Sequence, residues 1–555
     1  MSLIHAILIF LCFISNFYGF SVFNENDSVI ELNANNFNNN IYSKSHICLV
    51  NFYLHWCPHC ITYSKVWKEF ANDIKDWHSV VKVYAIDCAN KSSEANCRRH
   101  GITRFPRIRL FKTFANTADL GQTFETRDTV QQLKTQFIDW LLTSHQHLRH
   151  DINLYPISIV SKNELFNALP LNLHKYNLIF LVNNPTHLAV EIILDFSQHS
   201  DAVNIITVND RSGRLRSQLF SHSVNLPALI NAHTNHSLQL IASAHSTNEE
   251  LLRKEFGLKI KELLNISEIQ ININETNNRE KNITTNSLII SIRNELPLSL
   301  SDLYNTLRQF LHSEVTRYEK LNSNQLKILK TYFSIIYKYF PFDNENVRRF
   351  FKRMKHWFSN KTDEIKSETL IAAMKISDGY LPPMVQWRHC SGSKPNFRGY
   401  SCGLWSLFHV LTVREYTMNK KNKTQNTHEV LPLMRDFIIN FFSCEDCAKH
   451  FEKTSRRLTS YLDTDESSVL WLWRVHNQVN QRTKGSLSED PYFPKVQYPT
   501  HQMCGQCFQN NNEFNETNVL KYLLETYDPK NLTKSAAYYA EQKVLAKNSD
   551  TKLEV

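Results

Sequence analysis

The sequence predicts a multidomain chain in which two α/β units precede an all-α region, and three observations predict it. Residues 29–148 and 152–264 each alternate β-prone apolar runs with amphipathic helical patterns, as compact α/β units do. Both stretches also contain a late strand that opens on proline, "RFPRIRLF" at 104–111 and "LPALINA" at 226–232. After residue 290 the apolar residues recur only at helical spacing, so the second half reads as packed helices. A length of 555 residues suffices for three or four domains, and 42% hydrophobic with 21% charged content is ordinary for globular chain. The formal charge of +10 is spread over 63 basic and 53 acidic residues without a dense basic stripe, which argues against nucleic acid as a partner.

The elements follow in chain order. "HAILIFLCFISNFYG" (5–19) is apolar but short for a membrane span, and fits a signal peptide over 1–21 cleaved after Gly19 or Ser21; a buried N-terminal strand is the alternative. Cleavage removes Cys12 and leaves eleven of the twelve cysteines. No later stretch is long and apolar enough to cross a bilayer, so a soluble, lumenal or secreted chain is expected, where disulfides persist. Sequons at Asn26, Asn90, Asn235, Asn265, Asn274, Asn282, Asn360, Asn422, Asn515 and Asn531 agree with that route toward a glycoprotein.

The first domain is placed at 22–150: strand "HICLVNFYLHW" (46–56), helix "ITYSKVWKEFANDIKDW" (61–77), strand "VVKVYAIDC" (80–88), the proline-led strand, and helix "TVQQLKTQFIDWLLTS" (129–144). The second, at 151–267, repeats the plan without cysteine, through "NLIFLVNNP", "VNIITVND" and the helix "NEELLRKEFGLKIKELL". A polar, Asn/Thr-rich linker is expected at 268–289. Helical domains follow at 290–372 and 373–511, carried by "SLSDLYNTLRQFLHSEV", "NSNQLKILKTYFSIIYKYF", "NENVRRFFKRMKHWF", "GLWSLFHVLTVREYT", "VLPLMRDFIINFF" and "SVLWLWRVHNQVNQR". The tail, 512–555, has one helical run, "NVLKYLLETY".

Three cysteine pairs share a two-residue spacing: Cys57 and Cys60 in "HWCPHC", Cys444 and Cys447 in "FFSCEDC", and Cys504 and Cys507 in "HQMCGQC". Zinc needs four convergent ligands, usually from pairs separated by a short loop. Here the first pair is remote from the others, and strong helices separate the last two; a four-thiolate site from those two stays geometrically open. A disulfide closing so small a loop stabilises little, which weakens a purely structural reading. Redox exchange explains the spacing better. In "HWCPHC" the strand ends near Trp56 and a helix starts near Cys57, with Pro58 at an early helical position where no hydrogen bond is lost. Free amides at that end stabilise a Cys57 thiolate, and Cys60, about one turn in, can resolve a mixed disulfide. A cis Phe105–Pro106 bond would turn a backbone edge toward the pair. Cys88 and Cys97, in "DCANKSSEANC", fit a loop-closing disulfide, and Cys48, in a predicted strand, reads as a buried thiol. In the second half, Trp405 and His409 lie four apart, as do His476 and Asn480, while Asp446, Cys447 and His450 fall within a turn and a half. Such stripes suit a planar heterocycle, although each alone also fits a packed core.

"YLHWCPHC" with "RFPRIRLF" resembles the thioredoxin fold of protein disulfide isomerases. "FRGYSCGLWSLFHVLTV", "FFSCEDCAKHF", "WRVHNQVNQR" and "SEDPYFPKVQYP" resemble the flavin domain of the Erv-type sulfhydryl oxidases. The ordered set is similar to the quiescin sulfhydryl oxidase family over essentially the whole chain. The resemblance implies two thioredoxin-like domains, a degenerate Erv-like domain at 290–372 with no cysteine, and an active Erv-like domain with FAD as cofactor. It also implies roles. Arg398 lies near the cofactor, Trp405 and His409 line the flavin, and Cys447 adjoins its ring with Asp446 and His450 beside it. Trp473, His476, Asn477 and Asn480 cradle the adenosine part, and Lys495 reaches the pyrophosphate. Tyr498 stands where the family usually has tryptophan. The implied disulfides are Cys57–Cys60, Cys390–Cys402, Cys444–Cys447 and Cys504–Cys507, the last with a dispensable or structural role; no metal is implied.

The expected activity is a thiol oxidase of reduced secretory proteins and small dithiols, acting as a monomer in the Golgi lumen or outside the cell. Electrons would pass from Cys57/Cys60 to Cys444/Cys447, to FAD and to O2, with hydrogen peroxide formed. The two pairs must meet, so a hinge is required; 148–153 is the stronger candidate and 265–287 the other. Pro58 replaces a glycine common in the family, from which a more oxidising dithiol is expected. Two rival readings stay open at this level: an isomerase-like chaperone without oxidase activity, and a secreted interaction protein whose cysteines are all structural.

Overall fold

The computed structural model describes residues 21–144, 154–159, 161–184, 186–266, 297–376, 379–422, 428–464 and 466–534. The signal-peptide segment up to residue 20, the 148–153 link, the 268–289 linker, the tail beyond 534 and the sequons at Asn274 and Asn282 lie outside the described residues.

The first domain has strands Ile30–Leu32 (β1), Ile47–Tyr53 (β2), Val81–Asp87 (β3), Arg107–Phe111 (β4) and Gln122–Phe124 (β5), with helices Phe37–Ile41 (α1), Pro58–Asp73 (α2), Glu94–Arg99 (α3) and Val130–Thr143 (α4). The strand order is β1-β3-β2-β4-β5. β3 runs parallel to both β1 and β2, while β4 and β5 are antiparallel. All seven residues of β2 are buried, so the central strand reads as a run of apolar residues, interrupted at Asn51, rather than an alternation. Its register puts Arg107 opposite Phe52, which sets the Phe105–Pro106 turn beside the end of the strand that feeds Cys57. That peptide bond is cis, as is Leu226–Pro227 at the matching place in the second domain.

The second domain repeats the architecture. Its elements are Ile157–Ser158 (β6), Lys162–Ala168 (α5), Tyr176–Val182 (β7), His187–Asp195 (α6), Val203–Asn209 (β8), Arg214–Leu219 (α7), Ala228–Ala232 (β9), Leu238–Ser243 (β10) and Glu249–Leu264 (α8), in strand order β10-β9-β7-β8-β6. An ionic cluster joins it to the first. Lys134 of α4 pairs with Asp73 of α2 at 3.1 Å and with Glu191 of α6 at 2.9 Å. Arg253 of α8 reaches Asp73 at 2.9 Å and Asp195 at 2.6 Å, and the Trp77 indole donates to Asp195 at 2.7 Å. Lys134 and Glu191 are only 4% and 6% exposed, so independent swinging of the first domain about 148–153 would strip buried charges of their partners. That cost opposes the sequence's preference for a hinge there.

The helical region comprises Leu300–Gln309 (α9), Ser323–Tyr339 (α10), Glu345–Ser359 (α11), Ser367–Met374 (α12), Gly399–Asn422 (α13), Val430–Phe441 (α14), Glu445–Thr454 (α15), Ser467–Thr483 (α16) and Glu516–Thr526 (α17). Two-residue strands, Lys320–Leu321 (β11) and Ile365–Lys366 (β12), pair antiparallel; they are too short for a period-2 signal and were not expected. α9 and α13 pack so closely that a Cβ on Gly403 would lie 2.1 Å from Thr306 Oγ1. α9 continues into a π-helical turn, Phe310–Glu314, which carries Glu314 toward Ser443.

Candidate active site

The two redox pairs are built alike. Cys57 caps the N-terminus of α2 with Pro58 as first helical residue, and Cys60 lies in the first turn. Cys444 caps α15 in the same way, with Cys447 in its first turn. Each leading cysteine therefore sits beside free backbone amides at the positive end of a helix. Cys444 and Cys447 form a disulfide. The Cys57–Cys60 bond implied by the sequence is absent: both are free, buried thiols, and burial holds the Cys60 pKa well above the ordinary thiol value, which keeps its proton on. One dithiol thus stands with one disulfide, the donor and acceptor of an exchange. Disulfides also join Cys88 to Cys97, Cys390 to Cys402 and Cys504 to Cys507. Cys48 is fully buried, and burial pushes its thiol up to about 12.

The pairs belong to domains that touch. Phe105 N–H donates to the Ser443 carbonyl at 2.9 Å, and Glu445 N–H donates to the Phe105 carbonyl at 3.2 Å, a parallel bridge centred on Cys444. Arg104 donates to the carbonyls of Phe442 and Ile439 at the C-terminal end of α14. Arg107 pairs with Glu445 at 2.8 Å, whose other oxygen takes Lys449 at 2.9 Å. Trp56 meets Tyr400 and Phe442 at ring-centroid distances of 5.1 and 6.1 Å. From the other side, the Glu314 carboxylate accepts from Ser443 N–H at 2.9 Å and Ser443 Oγ at 3.0 Å. The cysteine-free helical domain thus grips the residue beside Cys444. Arg104, Arg107, Glu314 and Glu445 were not among the residues expected from sequence. No local signal could have found them, since their partners lie 129 to 338 positions away.

A second cluster lies between α13 and α16. Trp405 and His476 stack at 4.0 Å and 3°, and His409 is 3.2 Å from His476 and stacked at 4.6 Å on Tyr527, another residue the sequence reading missed. Burial lowers His409 to about 3 and depresses His476 strongly, so both rings are neutral. Asn477 donates to the Tyr498 carbonyl and accepts from Tyr498 N–H, both at 2.8 Å; the Trp473 indole donates to the same carbonyl. Asn480 donates to the Val496 carbonyl at 3.0 Å. The segment 496–498 is therefore laced to one face of α16. Arg398 adopts a left-handed φ of 61°, donates to the His389 carbonyl at 2.7 Å and lies 4.1 Å over the Phe493 ring. Its Nε, with Ser401 Oγ and His409 Nδ1, is buried without a hydrogen-bond partner. Burial lowers the Arg398 pKa, and burial with the Arg398 charge lowers that of Lys495. Two cations held against desolvation, orphaned polar atoms and neutral flat rings fit an anionic, aromatic guest such as a dinucleotide.

Asp446 and His450 are different. They pair with each other at 3.3 Å on the surface of α15, 40% and 44% exposed, and none of their contacts reaches the Trp405–His476 stack. Asp446 instead lines the interdomain cleft with His59, Pro106, Arg107, Glu445 and Lys449. An i,i+4 pair can satisfy itself on the half-exposed face of a helix, and the expected place of both residues beside the cofactor rests on the family resemblance. Among the described residues no group of three or more His, Cys, Asp or Glu could hold a metal ion, and no helix is long and apolar enough to cross a membrane.

Comparison with known proteins gives the same order of parts. Residues 28–135 match the thioredoxin family, 294–393 match the flavin adenine dinucleotide (FAD)-dependent sulfhydryl oxidase family, and 402–499 match the Erv1 / Alr family. Sulfhydryl oxidase 2 of Mus musculus is 29% identical over 506 residues, which is 89% of this chain and 71% of that protein. Sulfhydryl oxidase 1 of Homo sapiens is 29% identical over 495 residues, 87% of this chain and 64% of that protein. The solved sulfhydryl oxidase fragment of human QSOX1 is 33% identical, covering 43% of this chain and 98% of the fragment, with a TM-score of 0.40. Thioredoxin, FAD-dependent oxidase and Erv segments in this succession make the chain a member of the quiescin sulfhydryl oxidase family.

Proposed function

We propose that this thiol oxidase works as a two-stage disulfide relay from Cys57/Cys60 to Cys444/Cys447. A client thiolate attacks Cys57 Sγ of the Cys57–Cys60 disulfide and Cys60 leaves as thiolate; a second client thiolate then displaces Cys57, and the client departs with a new disulfide. Cys57 thiolate next attacks Cys444 Sγ, Cys447 leaves as thiolate, and Cys60 attacks Cys57 to release Cys444. Two electrons have then moved from client to Cys444/Cys447. FAD, when bound, accepts such an electron pair and hands it to O2 as hydrogen peroxide, which a thiol alone does slowly. Trp405, His409 and His476 would offer their neutral rings to the flavin. Arg398 and Lys495 would neutralise its pyrophosphate, and Trp473, Asn477 and Asn480 would fix the 496–498 segment with Tyr498 at the edge. Cys447, in the first turn of α15, is the natural donor.

The observation that carries this reading is the bridge between Phe105 and Cys444, with a free dithiol on one side and a disulfide on the other. In a Cys60→Ser, Cys447→Ser variant supplied with oxidised glutathione, Cys444 first takes up glutathione as a mixed disulfide, Cys57 thiolate then attacks Cys444 Sγ and glutathione leaves as thiolate, so Cys57 should be recovered joined to Cys444 by mass spectrometry of the unreduced digest. Oxygen uptake with a reduced protein should be lost in both Cys57→Ser and Cys447→Ser. Failure to trap the bond, with Cys57→Ser still oxidising protein thiols, would remove the relay. Four disulfides and the exposed sequons Asn26, Asn90, Asn235, Asn265, Asn360 and Asn531 support work in an oxidising secretory lumen such as the Golgi, or outside the cell, on reduced secretory proteins. The monomer reading rests on both redox pairs meeting within one chain.

A further inference from the structure

The contact between the first domain and the Cys444 segment has the form of peptide binding. One residue, Phe105, gives and takes a main-chain hydrogen bond with the residues either side of Cys444, as a sheet edge does with an added strand. The contacts upstream of Cys444 are mostly to main chain: Phe105 N–H to the Ser443 carbonyl, and Arg104 to the carbonyls of Phe442 and Ile439. Such contacts accept nearly any sequence. The Phe442 ring meets Trp56 at 6.1 Å, an apolar contact that tolerates many side chains. Directly after the cysteine the recognition changes kind. Arg107 reads the Glu445 side chain at 2.8 Å, with both groups little more than a quarter exposed.

We infer that the Phe105–Arg107 edge is also the client groove, and that Arg107 selects client segments with an acidic residue immediately after the reacting cysteine. The inference rests on the relay reading, in which Cys57 serves the client and Cys444 in turn. When the oxidase segment leaves, Glu445, Asp446 and Lys449 leave with it. The first domain then presents Arg107 without its carboxylate partner, near Arg104 and with Glu125 also lining the cleft. A glutamate after the client cysteine restores the lost ion pair. A lysine there meets Arg107 with like charge while its neighbour is pinned by the Phe105 hydrogen bonds. An incompletely buried pair of this kind separates the two by roughly threefold to tenfold in rate, and salt narrows the gap.

The test uses the full-length, FAD-loaded protein carrying Cys60→Ser and Cys444→Ser, so that Cys57 can neither close its own disulfide nor react with Cys444. Peptides differing only in Glu, Gln or Lys after a single cysteine are supplied as mixed disulfides with thionitrobenzoate. Cys57 thiolate attacks the peptide sulfur, the peptide–thionitrobenzoate bond breaks, and coloured thionitrobenzoate is released in proportion to capture. The expected order is Glu fastest, then Gln, then Lys; Arg107→Gln should level the series and Arg107→Glu should invert it. Equal rates for all three peptides, or an order unmoved by either substitution, would overturn the inference. The relay is judged separately, from the Cys57–Cys444 trap and from dithiothreitol oxidation by the wild type, neither of which presents a residue after a client cysteine.

Discussion

At the scale of single residues, the first redox loop is governed by where the helix starts. Pro58 is the first helical residue of α2 and fixes the backbone that aims the leading amides at Cys57. The positive end of a helix whose start is set in advance favours the more electron-rich, reduced pair, and so makes the disulfide a stronger oxidant. Glycine at the same place costs nothing in sterics but leaves the first turn free to fray. Pro58→Gly should therefore shift the Cys57/Cys60 potential negative by some tens of millivolts, a difference on the order of 1 kcal/mol. Equilibration against glutathione buffers, read by alkylation of Cys57 and Cys60, measures it; an unchanged potential would remove Pro58 from the account. This loop was legible from sequence because its logic is local: strand, cysteine, proline, helix in one run. The grip of Glu314 on Ser443 was not, because a glutamate in a cysteine-free helix carries no mark of the serine it will meet.

Elements show the same division. The strands and long helices were foreseen because their periodicity is a property of each segment; α4, α8, α16 and α17 all form over the runs that predicted them. How the first two domains sit together was not foreseen, since it depends on charges that look like ordinary solvated positions. Lys134, Glu191 and Arg253 are mixed-sign members of three amphipathic helices, yet together with Asp73 and Asp195 they form a mostly buried cluster. Burial works against the Arg253 charge, but hydrogen bonds and attraction to Asp195, then Asp73 and Glu191, more than offset it and hold its pKa above the ordinary arginine value. Removing that cation leaves three carboxylates facing one lysine. Arg253→Met should destabilise the paired domains by about 3 kcal/mol, the cost of stranding a buried charge. Thermal melting and protease cutting between residues 144 and 154 would report it; a melting point unmoved by the substitution would mean that the cluster is screened by solvent and does not lock the pair.

Across the whole molecule, a flavin domain must keep buried polar groups neutral without its sequence announcing which ones. The motifs named His409 and His476 but gave no sign of Glu415, two turns along α13 from His409. Glu415 is 1% exposed, accepts from Glu429 N–H and Val430 N–H through one oxygen, and leaves its other oxygen without a partner. Burial pushes it up to about 7. These groups pull stability in opposite directions as pH changes. The histidines, depressed from 6.5, are neutral in both states above that value; as pH falls below it the unfolded chain takes up protons the fold refuses, so stability is lost on the acid side. Glu415 is raised from 4.5, so its contribution is complete below 4.5 and fades as pH climbs toward 7, because the unfolded chain releases a proton that the fold retains. Between 4.5 and 6.5 one term offsets part of the other. Glu415→Gln keeps the accepting oxygen and removes the titration, so the variant should gain on the wild type as pH rises through that window, by about 1.4 kcal/mol per pH unit at most. The difference between the two melting curves from pH 4 to pH 8 isolates this term from every other titrating group. A difference that stays flat would show Glu415 to be ionised in the fold, its charge carried by the two amide bonds at the start of α14.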